Sequence, residues 1–137
     1  MANIETTQRI YRAFGAGDIP AILEQLDENA AWDHAEHGST AQAAGVPYLQ
    51  SRTGHEAVVE FFEVIGETFD FERFEVVDLL ASESRVVALI GIRAVNKATG
   101  AVVDDLEAHV WTFGDGGRVV SLDHLLDTQK HIEAASA

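Results

Sequence analysis

The residues best suited to chemistry are concentrated between positions 101 and 128. There AVVDDLEAHVWTF runs into Gly114-Asp115-Gly116-Gly117 and returns as RVVSLDHLLDT, the pattern of a two-stranded hairpin. Side chains alternate along a strand, so Asp105, Glu107, His109 and Trp111 share one face, and Val120, Leu122, His124 and Leu126 share one face of the partner. Burying acids and histidines among tryptophan and leucine costs free energy unless those groups are paired or used. Such a face therefore reads as the wall of a site, although it names no substrate. Asp105 and Glu107 also admit a plainer reading, in which they lie near the rim and solvate an edge.

Other chemistries find less support. Six histidines together with Asp33, Glu36 and Glu107 supply the imidazole and carboxylate donors that a metal needs. His34 and His37, however, are three apart on a segment read as strand end and loop, where that spacing has no meaning, and no HExxH motif occurs, so no metal is expected. The glycines at 114–117 join two strands and open no helix, which removes a phosphate cradle, and no Ser-His-Asp order is recognisable. With no cysteine there is neither disulfide nor thiolate chemistry. Nothing calls for a cofactor.

The elements that must position these groups follow from periodicity. Ile10 and Phe14 lie one helical turn apart beside Tyr11, and the helix stops at Gly15-Ala16-Gly17. Asp18 stands where an N-cap belongs, Pro20 suits a first turn, and Ile19, Ile22, Leu23 and Leu26 have the spacing of a buried stripe, which predicts a second helix. Ala30-Ala31-Trp32-Asp33-His34 reads as a first strand. A third helix is predicted from Thr53 and Glu56 in capping-box spacing and the stripe Val58, Phe61, Phe62, Ile65 and Phe69. Runs 71–81, 85–95, 102–113 and 118–126 then read as strands joined by turns, an antiparallel meander. Helices in the first half and strands in the second indicate an α+β fold, with three N-terminal helices packed in a strongly curved, mainly antiparallel sheet. Ligands in such a fold sit between helix and sheet. The loop 35–52, with Val46, Pro47, Tyr48 and Leu49 in it, is either a lid or a surface loop that tucks apolar groups down.

Composition bounds the rest. The chain of 137 residues suits one domain over 1–137. A formal net charge of −14 repels phosphate backbones and anionic lipid, so neither nucleic acid nor membrane is an expected partner. The N-terminal residues lack a basic segment followed by an apolar run, and no stretch approaches the length of a membrane span, so a cytoplasmic location is the expectation.

Ile10-Tyr11-Arg12-Ala13-Phe14, Gly17-Asp18-Ile19, Ile22-Leu23, Trp32, Gly54, Phe61-Phe62, His109-Val110-Trp111-Thr112-Phe113, Gly116 and Asp127-Thr128 together resemble the SnoaL-like family of the nuclear transport factor 2-like superfamily. Order and spacing over nearly the whole chain carry the resemblance. It implies a cone-shaped α+β fold with an apolar pocket at its open end for a small hydrophobic molecule, and a homodimer through the outer sheet face. It implies no single reaction, since the family includes ketosteroid isomerases, polyketide cyclases, dehydratases, an epoxide hydrolase and proteins without known activity. Carried over by position, the hydrogen-bonding tyrosine of the isomerases matches Tyr11, their general base matches His34, and their protonated aspartic acid matches His109. Histidine suits a base at neutral pH, and a second one can donate a hydrogen bond to a developing oxyanion. In the polyketide cyclases an acid on the last strands serves, and Asp123 or Asp127 is then the nearest match. Trp32, Phe62, Glu107, Trp111, Leu122 and His124 are the expected pocket-lining residues. Three readings stay open: proton transfer next to a carbonyl (isomerase, cyclase or dehydratase), non-catalytic ligand binding, and a structural dimer.

Overall fold

The computed structural model describes residues 2–34 and 39–136, so Glu36 and His37, weighed above as metal ligands, lie outside the described residues. The chain opens with helix α1 (Ala2–Ala16), which buries Ile10 and Ala13. Gly17 at φ 69 ends it, and the Asp18 N–H closes back onto Ala13 O at 2.8 Å. Asp18 then caps α2 (Ile19–Leu23) by accepting from Ala21 N, with Pro20 in the first turn. The predicted stripe does not stay helical: Ile22 is buried on α2, while Leu26 opens strand β1 (Leu26–Trp32). Leu26 meets the core either way, which is why helical spacing is satisfied by a helix that has already ended.

Part of the segment predicted as a loop is structured. Ser39 caps a short helix α3 (Thr40–Ala43), a 3-10 turn follows at Pro47–Leu49, and Val46, Tyr48 and Leu49 are buried. Strand β2 (Arg52–Thr53) then takes up Thr53, so the predicted Thr53/Glu56 capping box does not form. Helix α4 (His55–Thr68) starts instead from Gly54 at φ 89 and ψ 168, backbone that essentially only glycine adopts. A Cβ there would lie 3.4 Å from Glu28 O.

Strands β3 (Phe69–Ala81), β4 (Arg85–Asn96), β5 (Val102–Phe113) and β6 (Val119–Leu125) form the antiparallel meander. The sheet has six strands in the order β2-β1-β6-β5-β4-β3, with β1 parallel to β6. Register shifts in β3 between Phe71 and Arg73 and between Val76 and Asp78 bend this long strand, and the curved, unclosed sheet wraps α1 and α4. Inner positions Val86, Ala88, Ile90 and Ile92 of β4 and Val103 and Trp111 of β5 pack with Ile10, Ile22 and Val58 as one core. A closing helix α5 (Thr128–Ser136), not anticipated from the sequence, buries His131 and Ala134 against β5 and α3. Among the described residues no helix is long and apolar enough to cross a membrane.

Candidate active site

Most residues that alternation groups on β5 and β6 face inward; Val120 does not, because the register shifts between Thr112 and Phe113 and puts Val119 in the core while Val120 is exposed. His109 stands opposite His124 and Trp111 opposite Leu122, and all four line a cavity of about 80 Å³ with Glu107, Tyr11, Trp32 and Phe62. Phenylalanines and isoleucines from α1, α4 and β3 complete a mostly apolar wall. Tyr48 and Leu49 reach it from the 3-10 turn, and His131 from α5.

One polar chain crosses this wall. Trp111 Nε1–H donates to the Tyr11 hydroxyl at 3.0 Å, and the hydroxyl lies 2.7 Å from His109 Nδ1. An indole can only donate, so the tyrosine oxygen accepts from Trp111 and sends its own hydrogen to His109. Nδ1 is then an acceptor, and neutral His109 carries its proton on Nε2. Burial, and after it the neighbouring His124, hold the His109 pKa well below its ordinary value, which keeps the ring neutral. Tyr11 is pushed up, first by burial, and remains a phenol.

The second polar unit is a buried carboxylate-imidazole pair. Asp33 follows β1 with φ 56, a left-handed conformation that aspartate tolerates better than most residues. This breaks strand alternation directly after the inward Trp32 and brings the carboxylate to His124, with Nδ1 at 3.0 and 2.9 Å from its two oxygens. The main-chain N–H of His124 donates to the same carboxylate at 2.9 Å. Asp33 is itself held by its N–H to Leu122 O, and its carbonyl accepts from Ser51 Oγ and Gln42 Nε2. The segment 39–51 thus braces the pair. Burial alone would lower the His124 pKa, but the Asp33 charge and hydrogen bond, then Glu107 and Asp123, outweigh it and raise the value. His124 Nδ1–H is committed to Asp33, leaving Nε2 for a ligand. The two rings lie 4.9 Å apart, edge to face, with pKa values displaced in opposite directions.

His34 does not join this group. It is exposed, and its Nε2 lies 2.9 Å from Arg52 O and 3.0 Å from Thr53 Oγ1 on β2. Because Asp33 takes the turn, the next side chain faces away from the cavity. Asp123 stands opposite Val110 on β6, one position off the His124 face, and Asp127 caps α5 by accepting from Lys130 N. Neither lines the cavity. Asp33, Tyr48 and His131 escaped the sequence reading as members of this region. For Asp33 the signal was its position at the end of β1. His131 gave none without α5.

A curved sheet closing on helices around such a cavity defines a nuclear transport factor 2-like protein. The SnoaL-like domain matches residues 7–122, and the chain belongs to that family. A protein of unknown function from Burkholderia pseudomallei K96243, described as NTF2-like, superposes with a TM-score of 0.82 at 25% identity, covering 100% of this chain and 99% of that one. TerC, crystallised with polyporic acid, superposes with a TM-score of 0.82 at 21% identity, each chain covered in full at 100%. A candidate polyketide cyclase from Xanthomonas campestris pv. campestris follows with a TM-score of 0.72 at 19% identity over 97% of this chain and 96% of that one. No curated protein matches the chain.

Proposed function

We propose that this protein catalyses proton transfer next to a carbonyl on a small, largely apolar molecule, as an isomerase, cyclase or dehydratase. The observation that carries the reading is the Asp33–His124 pair beside neutral His109 on one cavity wall. Two imidazoles whose environments separate their pKa values hold different roles side by side, one exchanging a proton and the other staying a neutral hydrogen-bond donor. His124 Nε2 takes the proton from the carbon α to the carbonyl, and the C–H electron pair moves to the carbonyl oxygen. Asp33 fixes the tautomer and stabilises the imidazolium that forms. His109 Nε2–H, oriented by Tyr11 and Trp111, donates to the enolate oxygen. The imidazolium then returns its proton to another carbon, or to a departing hydroxyl, which leaves as water. In this reading the base is His124 rather than the exposed His34.

The test is a screen of cyclic ketones and hydroxylated aromatic carbonyl compounds, followed by variants on whichever turns over. His124→Ala is expected to lower kcat about 10²- to 10⁴-fold with substrate binding little changed. Equal losses in turnover and binding would reject the assignment. The alternative of a non-catalytic binding protein rests on the same apolar lining, and it predicts thermal stabilisation by ligand without product.

The expected homodimer is proposed on the outer sheet face, where Val77, Leu80, Leu106 and Leu125 are each more than half exposed. Sedimentation of the wild type as a dimer and of Leu106→Lys as a monomer would support it. A wild-type monomer would remove it.

A further inference from the structure

On the β5 face that also carries His109, the cavity wall holds a second polar cluster that the proposed reaction does not use. Helix α5 is docked on β5 through its first turn. Asp127 N–H donates to Asp105 Oδ2 at 3.1 Å, and Lys130 Nζ reaches Asp104 O at 2.8 Å and Asp105 Oδ1 at 3.5 Å. This docking delivers His131 to Glu107, with Nε2 3.7 Å from Oε2, too far for a hydrogen bond. His131 is 2% exposed and Glu107 6%, and His131 Nε2 has no hydrogen-bond partner. A buried imidazole nitrogen left unpaired is costly, and native structures normally satisfy such an atom with water or an ion.

We infer that Asp105, Glu107 and His131 bind a divalent transition-metal cation at the edge of the cavity. One donor atom from each residue lies within 4.8 Å of the others. Metal–ligand bonds of about 2.0–2.2 Å place such donors roughly 3–3.5 Å apart, so closure needs side-chain shifts on the order of one ångström. The other ring nitrogen is already oriented, since His131 Nδ1 lies 2.5 Å from the buried Tyr48 hydroxyl. With Nδ1–H donated to that oxygen, Nε2 presents its lone pair to the carboxylates, the arrangement in which a metal-bound histidine is held by an outer partner. One imidazole with two carboxylates suits zinc, manganese or iron(II) better than calcium or magnesium, whose sites are built from oxygen. Two carboxylates close together also concentrate negative charge that Lys130, half exposed and at 3.5 Å from one of them, relieves only in part. Glu107 and His131 both line the cavity, so the remaining coordination positions open on it. The cluster shares no residue with the Asp33–His124 pair, although Glu107 also acts on the His124 charge, so the inference is tested by metal binding itself rather than by turnover.

The experiment is titration of chelator-treated full-length protein with Zn²⁺ by calorimetry and with Co²⁺ by visible absorption. One ion per chain is expected, with Co²⁺ bands of a low-symmetry, nitrogen-containing site. His131→Gln is expected to weaken binding by at least about 100-fold, and Tyr48→Phe, which keeps all three ligands, by about 10-fold. His124→Ala is expected to change metal affinity far less than His131→Gln does. If His131→Gln fails to fold, as judged by circular dichroism, Asp105→Asn carries the comparison with the same expected loss. Absence of stoichiometric binding, or equal binding in the wild type and the ligand variants, would mean that only surface carboxylates attract the ion and would overturn the inference.

Discussion

His124 owes its raised pKa to one neighbour above all, so its chemistry can be separated from its packing. Its ring faces Asp33 from the end of β1, His109 and Glu107 from β5, Asp123 from its own strand and the Phe61 ring of α4. In the proposed mechanism the deprotonated form is active, so kcat/KM rises with pH along a limb centred above 6.5. Asp33→Asn removes the largest raising influence and leaves burial, which lowers; the limb then moves to lower pH while kcat falls. A pH–rate profile of the two proteins checks this, and an unmoved limb would sink the base assignment. The same shift has a stability consequence. A histidine whose folded pKa is raised contributes stability that is fully present below about 6.5 and is lost as pH rises through the raised value. Urea unfolding across that window is expected to show the loss in the wild type and not in Asp33→Asn. His34→Ala, at an exposed residue that does not line the cavity, is expected to leave turnover within about 2-fold, in the usual range for surface changes.

At the scale of elements, two junctions hold the site in place. The first is Gly54, which turns the chain from β2 into α4 in glycine-only backbone. Gly54→Ala is expected to cost about 1–3 kcal/mol, read as a lower urea midpoint with an unchanged slope. The second is the brace from the 39–51 segment to Asp33. Gln42 Nε2 donates to the carbonyls of Asp33 and Leu49, and Ser51 Oγ donates to Asp33 O at 2.8 Å. Gln42→Ala is expected to lower kcat more than it raises KM, because it frees the backbone that aims the carboxylate and, on the lining, loosens only the main chain at Leu49. Equal activity would show that the left-handed turn holds Asp33 unaided. These junctions were only partly legible in the sequence. Asp18, Pro20 and Gly17 announced themselves because caps act within one turn of chain. The Thr53/Glu56 pattern misled because strand pairing of Thr53 with Ala31 competes with capping and wins.

Over the whole molecule the charge of −14 opposes the compact state and, on the proposed dimer, doubles across the interface. Salt shortens the reach of exposed charges to about 8 Å at 0.15 M. The midpoint of thermal unfolding is therefore expected to rise as sodium chloride is raised from low ionic strength to that level, and a fall would show that the outer-face ion pairs of Arg73 and Arg93 with Asp104 and Glu72 outweigh the net repulsion.

What the sequence determined by itself was local or periodic. The alternation along β5 and β6 grouped Glu107, His109 and Trp111 with Leu122 and His124, the helix stops and caps set α1 and α2, and the order of elements set the fold class. Tertiary structure decided which groups meet. Whether Asp33 or His34 turns to the cavity depends on a single left-handed residue at the end of β1, which strand alternation alone does not mark. His131 meets Glu107 only because α5 folds back across β5, a contact between residues 24 positions apart that periodicity does not encode. Proton chemistry needs atoms within about 3 Å of each other, and that precision comes from packing rather than from pattern.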